Sequence, residues 1–176
     1  RSTEPTFLGW AIALFCYQPH WSSISRNYLA YDVGNSSWGQ VFWNTSMYSV
    51  WGATILILIG IYVWATLCFG IRFSNLTNRG ILTNGPYRFT KHPAYVSKNL
   101  AWWMISMPFM AQSGPVEALR LSILLLLLNL IYFMRARTEE RHLSADPDYV
   151  AYAEYINKQG IFASLGELFP ILKFKQ

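Results

Sequence analysis

Apolar residues come in long blocks along this chain, not in alternating or one-faced patterns. Met47 to Ile71 contains no charged residue. Ala118 to Met134 is nearly as apolar, with an unbroken run from Leu124 to Leu128. A membrane crossing needs about 20 predominantly apolar residues, so both blocks predict transmembrane helices. Gly52, Gly60 and Gly70 in the first block are available for close helix contacts. Between the blocks, Tyr95 to Gln112 is moderately apolar and is interrupted by Lys98 and Pro108. Ser113-Gly114-Pro115 then reads as a turn, and so short a connection predicts an antiparallel helical hairpin. Phe7 to Tyr17 is apolar but too short to span alone. It reads as the end of a helix begun upstream or as a segment lying in the interface.

The stretch from Gln18 to Ser46 is polar and aromatic, with Trp21, Trp38 and Trp43 but only Arg26 and Asp32 as charges. It is expected to be an extracytoplasmic loop with interfacial rings. Asn35-Ser36-Ser37 and Asn44-Thr45-Ser46 match a glycosylation pattern that is short and frequent by chance. The whole predicts an all-α integral membrane protein, a multi-helix transmembrane bundle with a helical hairpin and a cytosolic C-terminal segment. Its organisation is an N-terminal apolar segment and aromatic loop over residues 1–46, then a core with its C-terminal segment over residues 47–176.

Composition supports the membrane reading. Of 176 residues, 53% are hydrophobic and 13% charged, against about 25% charged in ordinary soluble domains. The 8 Trp, 11 Tyr and 11 Phe fit membrane interfaces. The net charge of +5 lies in loops, with no basic stripe on a soluble face, so no nucleic-acid partner is expected. Its distribution sets orientation. The Arg72–Lys91 loop and the tail from Arg135 are basic, whereas the Gln18–Ser46 and Gln112–Glu117 connections are not. The positive-inside rule puts both basic segments in the cytoplasm. Cys16 and Cys68 give neither a disulfide framework nor a zinc spacing and read as small buried hydrophobes. His20, His92 and His142 are scattered, so no metal site is expected. The chain begins with Arg1 and carries no convincing signal-peptide pattern, which points to processing or to missing upstream sequence.

Two polar islands abut the apolar blocks. The first is Gly85-Pro86-Tyr87-Arg88-Phe89-Thr90-Lys91-His92-Pro93-Ala94-Tyr95 and the second is Arg135-Ala136-Arg137-Thr138-Glu139-Glu140-Arg141-His142-Leu143. Ionisable groups at the edge of a membrane helix are functional suspects, and the hairpin returns both islands to one membrane face. Each also admits a plain reading. The first is a turn plus topology charges (Arg88, Lys91 and Lys98) and a proline-started helix. The second is a solvated helix end with an Arg135–Glu139 pair at i,i+4. Downstream, Asp146-Pro147 is expected to start a short helix, and the stripe Tyr149, Tyr152, Tyr155, Ile156 reads as packing. Phe169-Pro170-Ile171-Leu172 reads as a segment that docks back on the membrane.

Asn78 to Tyr95, with its Gly-x-Tyr and Lys-His-Pro-x-Tyr elements, resembles the signature of isoprenylcysteine carboxyl methyltransferases. The Arg-x-Arg-x-Glu-Glu run from Arg135 to Glu140, followed by Tyr149, Tyr152 and Tyr155, resembles that family's second motif. The wider group includes integral membrane phospholipid methyltransferases. The resemblance implies S-adenosylmethionine as methyl donor and a lipid-like or prenylated acceptor. Carried over, Gly85, Pro86, Tyr87, His92, Pro93 and Tyr95 would shape the donor pocket, and Arg135, Arg137, Glu139 and Glu140 would supply its polar contacts and touch the acceptor group, with Arg135 and Glu139 as the catalytic residues and Arg137 and Glu140 as donor-binding ones. Arg88 is added as a cation for the donor's carboxylate. Lys91 stands where arginine is frequent, and Gly160 to Gln176 departs from the family's ending. That departure leaves the acceptor open among a carboxylate, an amine and a hydroxyl, the last two requiring a base such as Glu139 or His92. Two other readings stand beside this one: an NADPH-dependent membrane reductase of the sterol-reductase type, and a non-enzymatic membrane subunit that keeps the fold.

Overall fold

A computed structural model describes residues 2–32, 37–70, 76–78 and 80–174. The first glycosylation pattern at Asn35, the end of the first apolar block at Ile71, and the loop charges Arg72 and Arg79 lie outside the described residues. Among the described residues the elements are helical: α1 (Phe7–Phe15), α2 (His20–Asn27), α3 (Trp38–Val41), α4 (Ser46–Leu67), α5 (Pro93–Ser106), α6 (Pro115–Leu143), α7 (Pro147–Gln159) and α8 (Ala163–Leu168). Short 3-10 turns cover Gly85–Arg88, Pro108–Met110 and Pro170–Leu172.

Two of these helices, α4 and α6, are long and apolar enough to cross a membrane, with mean hydropathies of 2.0 and 1.9. At 22 residues, α4 is roughly 33 Å long, and it leaves Leu56, Ile57 and Leu67 more than 60% exposed. Apolar side chains turned outward from a charge-free helix suit lipid, not water. Helix α6 has 29 residues, roughly 43 Å. It therefore runs past its apolar part, and the second polar island is its last two turns.

The hairpin closes as expected. Met107 takes a left-handed conformation (φ 42°) and ends α5 ahead of Pro108, and Gly114 at φ 101° precedes Pro115, the first residue of α6. A polar ladder joins the two helices. Trp103 Nε1 donates to Asn129 Oδ1 at 2.6 Å, Asn129 Nδ2 donates to Asn99 Oδ1 at 3.2 Å, and Lys98 Nζ donates to the Tyr132 hydroxyl at 2.9 Å. Helix α4 packs on α5, where Trp51 Nε1 donates to the Met104 carbonyl at 2.9 Å. Of the glycines expected to allow close contact, Gly52 is approached by the Trp38 ring, while among the described residues no atom lies within 4 Å of a Cβ placed at Gly60 or Gly70.

The apolar segment from Phe7 forms the short helix α1, and the stretch from Gln18 to Ser46, expected as a loop, carries α2 and α3. Helix α1 packs along the polar end of α6, with Tyr17 at Arg135 and Thr6 at Arg141. The chain then descends through α2 beside the hairpin. Trp21 stacks on Trp102 and meets the edge of Tyr132, and Leu29 packs with Leu125 and Leu128. Aromatic stacking replaces a continuous apolar run here, so a polar segment lines the bundle. Only at α3, where Trp38 meets Tyr48 and Phe42 meets Trp51, does the chain reach the end of the bundle away from the islands.

Replacing Asn129 with Ala strands the Trp103 N–H and the Asn99 side chain. The expected loss is about 1 kcal/mol in bicelle unfolding, the scale of interhelical hydrogen bonds in bilayers. A double variant with Trp103→Phe should be non-additive, and full additivity would show that the ladder carries no coupling.

Candidate functional site

The two islands meet at the polar end of the hairpin, and a buried carboxylate joins them. Glu140, 4% exposed, accepts from Lys91 Nζ at 2.8 Å, His92 Nε2 at 3.2 Å and Arg137 Nη1 at 2.7 Å. Two of these donors come from the first island and the third from the turn below on α6. Burial pushes the Lys91 pKa below its ordinary value, and the Glu140 carboxylate beside it opposes that shift. Arg137 also donates to the Lys173 carbonyl at 3.1 Å and so ties the chain's C-terminal segment to the same hub.

Local sequence explains how the first island reaches this position. Gly85 has φ +56°, and a Cβ there would lie 3.1 Å from Cys68 Sγ, so a side chain would meet the end of α4. Pro86 starts the 3-10 turn, and Tyr87 folds inward with its hydroxyl 3.4 Å from the Ala65 carbonyl. His92 precedes Pro93, the first residue of α5. Helix α7, begun by Asp146 and Pro147, then straps over the loop. The Tyr152 hydroxyl donates to the Tyr87 carbonyl at 2.6 Å, and Ile161 N–H donates to the Phe89 carbonyl at 2.9 Å.

These elements enclose a cavity of about 230 Å³. Of the residues singled out from the sequence, Tyr87, His92, Tyr95, Arg135 and Glu139 line it. Glu139 accepts from the Tyr95 hydroxyl at 3.0 Å, with His92 Nδ1 at 3.9 Å, and its side chain keeps 25% exposure. Arg135 is 7% exposed, donates to the Tyr17 hydroxyl at 3.2 Å and lies over the Tyr17 and Tyr95 rings. Gly85, Pro86 and Pro93 shape the backbone behind the wall, and Arg137 and Glu140 form the hub beneath it. Arg88 stands apart. It lines a separate cleft with Thr83, Asp148 and Tyr155, so it does not share the cavity with the other cations.

Several lining residues escaped the sequence reading. Tyr149 and Tyr152 are buried, with Ile156, as the expected packing stripe requires, and Tyr155 is 59% exposed. The Tyr149 hydroxyl is nevertheless buried and has no hydrogen-bond partner among the described residues. Burial raises the pKa of both Tyr149 and Tyr152, so both stay protonated as donors. Lys98, read as a topology charge, faces the cavity, as do Cys16, Tyr17 and Tyr132. Over the polar mouth, Glu4 N–H donates to the Leu76 carbonyl at 2.8 Å and Asn78 N–H to the Ser2 carbonyl at 2.9 Å.

The donor set suits a zwitterionic ligand with a flat aromatic part. It offers cations for a carboxylate, the Glu139 carboxylate for an ammonium or a diol, tyrosine faces for a cationic centre, and an orphan hydroxyl awaiting a polar partner. S-Adenosylmethionine has these groups, so the residues present fit it.

No curated protein and no solved structure matches the chain. The isoprenylcysteine carboxyl methyltransferase family matches residues 50–145, which include most of α4, the whole first island, the hairpin and the Glu140 hub. That match covers more than half of the 176 residues, and the chain belongs to the isoprenylcysteine carboxyl methyltransferase family, a family of membrane methyltransferases.

Proposed function

We propose that the chain transfers a methyl group from S-adenosylmethionine to a lipid-like or prenylated acceptor at the cytosolic surface of its membrane. One observation carries this reading: the two islands, distant in sequence, wall a single cavity in which Tyr95 holds Glu139 at 3.0 Å. The orientation rests on the basic Arg72–Lys91 loop and the basic tail from Arg135. In this reading α4, the α5–α6 hairpin and the broken α1–α2 segment together form the membrane bundle, and α7 and α8 cap it on the cytosolic side.

When bound, the donor would supply a methyl group on a sulfonium: the acceptor nucleophile bonds to the methyl carbon in line, and the sulfur leaves with the carbon–sulfur electron pair as a neutral thioether. Alignment then matters more than strong acid or base, and near-attack positioning is worth about 7–11 kcal/mol. Glu139 binds the donor's ammonium or ribose hydroxyls, and Tyr95 fixes its rotamer. The orphan Tyr149 hydroxyl supplies a further polar contact. Arg135, held by Tyr17 and by the Tyr95 ring, orients the acceptor's head group. A carboxylate acceptor attacks without a base, whereas an amine or a hydroxyl would hand its proton to Glu139 or His92. Water exclusion favours a step in which opposite charges neutralise each other. Helix α7, strapped to the first island by Tyr152, provides that exclusion.

Calorimetry on the detergent-purified protein should show saturable binding of S-adenosylmethionine and S-adenosylhomocysteine, and none of NADPH. Glu139→Gln removes one charge-assisted hydrogen bond and should weaken both by about tenfold or more, with an unchanged melting temperature. Full affinity in that variant would overturn the assignment of Glu139. NADPH binding without the methionine-derived pair would make the protein a reductase.

Glu140→Gln should behave differently. Neutralising the hub leaves Lys91 and Arg137 without their buried counter-ion, a loss of about 3 kcal/mol. A clear fall in melting temperature, accompanied by loss of donor binding, is expected. A fully stable Glu140→Gln protein that still binds the donor would show that the hub does not organise the cavity.

A further inference from the structure

Beyond α7 the chain runs outside the residues matched by the family, and it returns to the hub without lining the cavity. It is pinned at both ends. At its start Ile161 N–H donates to the Phe89 carbonyl at 2.9 Å. At its end Asn157 of α7 exchanges two hydrogen bonds with the Phe174 backbone, both at 3.0 Å, and the Phe174 ring meets Tyr149 edge to face. Between these anchors the large apolar side chains turn outward. Ile161, Leu168 and Ile171 are 61%, 71% and 64% exposed, and Leu165, Phe169 and Leu172 are exposed as well. Ile161, Leu165, Leu168 and Phe169 recur at helical spacing and so share one face around α8, while Glu167 projects from another and Gly166 faces the Lys173 stem. A contiguous apolar strip that is held in place yet left out of the core marks a contact surface.

Its place in the fold names what covers it. Phe89 is itself exposed and follows the turn that starts at Gly85, and Gly85 rests on Trp64 and Cys68 at the end of α4. Trp64 and Leu67 there are exposed too. The strip from Ile161 therefore continues the outward apolar surface of a membrane-length helix past its end. Arg88 and Lys158, both exposed, stand beside its start, and cations in that position suit anionic head groups.

We propose that the segment from Ile161 to Leu172 lies in the head-group region of the bilayer at the polar end of α4, as an interfacial anchor that holds α7 over the cavity. Segments of this kind bury one apolar face at the acyl boundary and keep the other in water. The Asn157–Phe174 clasp and the Tyr149 ring carry the lipid contact to α7. The anchor requires no methyl donor, so it stands or falls separately from the methyl-transfer reading.

A nitrobenzoxadiazole probe reads the depth. In a Cys16→Ser, Cys68→Ser background, Leu168→Cys and Glu167→Cys each give one labelling site. In vesicles of phosphatidylcholine and phosphatidylglycerol, the probe at 168 should be quenched by lipid carrying a doxyl group near its head and shielded from aqueous iodide. The probe at 167 should be quenched mainly by iodide. Quenching of both by iodide alone overturns the proposal. Shielding of 168 from iodide and from doxyl lipid alike rejects the bilayer in favour of a second copy or another protein. The unsubstituted protein gives a check that no variant can spoil: a diazirine borne near the lipid head should label the 161–172 peptide, and absence of label there overturns the anchor. Hydrogen exchange in the same vesicles reads the hold on α7. Leu168→Glu combined with Ile171→Glu should speed exchange of the α7 amides by about tenfold, the scale of a lost leucine burial, with the α5–α6 hairpin unchanged. Unaltered exchange in α7 refutes the hold.

Discussion

A buried carboxylate surrounded by cations is expensive unless every partner is in place, and the functional end of this protein is organised around one. Glu140 gathers Lys91, His92 and Arg137. Those donors come from the start of α5 and the end of α6, the two arms of the hairpin. The ladder of Asn99, Trp103 and Asn129 sets the spacing of the arms lower down, and the hub fixes their register at the top. Arg137 then reaches the Lys173 carbonyl, so the same charge cluster that closes the hairpin also fastens the C-terminal segment over it.

Because Glu140 engages three donors, its neighbour has a different job. Glu139 lies on an adjacent position of α6 and so points to another face of the helix, into the cavity, where it keeps partial exposure, with the Tyr95 hydroxyl at 3.0 Å and His92 Nδ1 at 3.9 Å. The adjacent pair thus divides into a structural carboxylate and an available one. Arg135, one turn earlier, faces the same space with tyrosine hydroxyl and ring partners in place of a counter-ion. The spare charges of opposite sign are therefore spread along the cavity instead of being cancelled, which is the condition for holding a ligand with more than one charged group.

Much of this was legible in the sequence, for physical reasons that can be named. A charge-free block such as Met47 to Ile71 announces a helix long and apolar enough to cross a membrane, and α4 fills it as far as Leu67, while Ser113-Gly114-Pro115 leaves the chain little choice but to reverse. The islands stood out because ions beside such blocks are costly. What failed to show was any contribution that depends on where a helix ends up beside another. The sequence of α2 is polar, and its Trp21 gives no sign that it will stack on Trp102. Tyr17 sits in a segment too short to span, yet it reaches Arg135. Tyr149 belongs to a stripe whose period announces packing, yet its hydroxyl, unlike that of Tyr152, finds no partner among the described residues. Arg88 was the converse case. Its place within the first island suggested the cavity, but the 3-10 turn at Gly85–Arg88 directs Tyr87 inward and Arg88 toward the cleft beside Asp148.

The cavity also has a direction. At its mouth Glu4, Asn78 and His142 present polar groups, at mid-depth Arg135, Glu139 and His92 present ions, and at the far end Tyr62, Tyr132 and Lys98 present rings around a cation. In the proposed reaction a polar donor would enter from the mouth and an apolar acceptor from the ring-lined end, so the two reactants would not exchange places or pass each other. In that reading the mid-depth ions are where their reactive groups would meet. That arrangement favours a reaction between a water-soluble and a membrane-borne molecule over one between two solutes, because only a partner held by lipid-facing helices gains from approaching through the aromatic end.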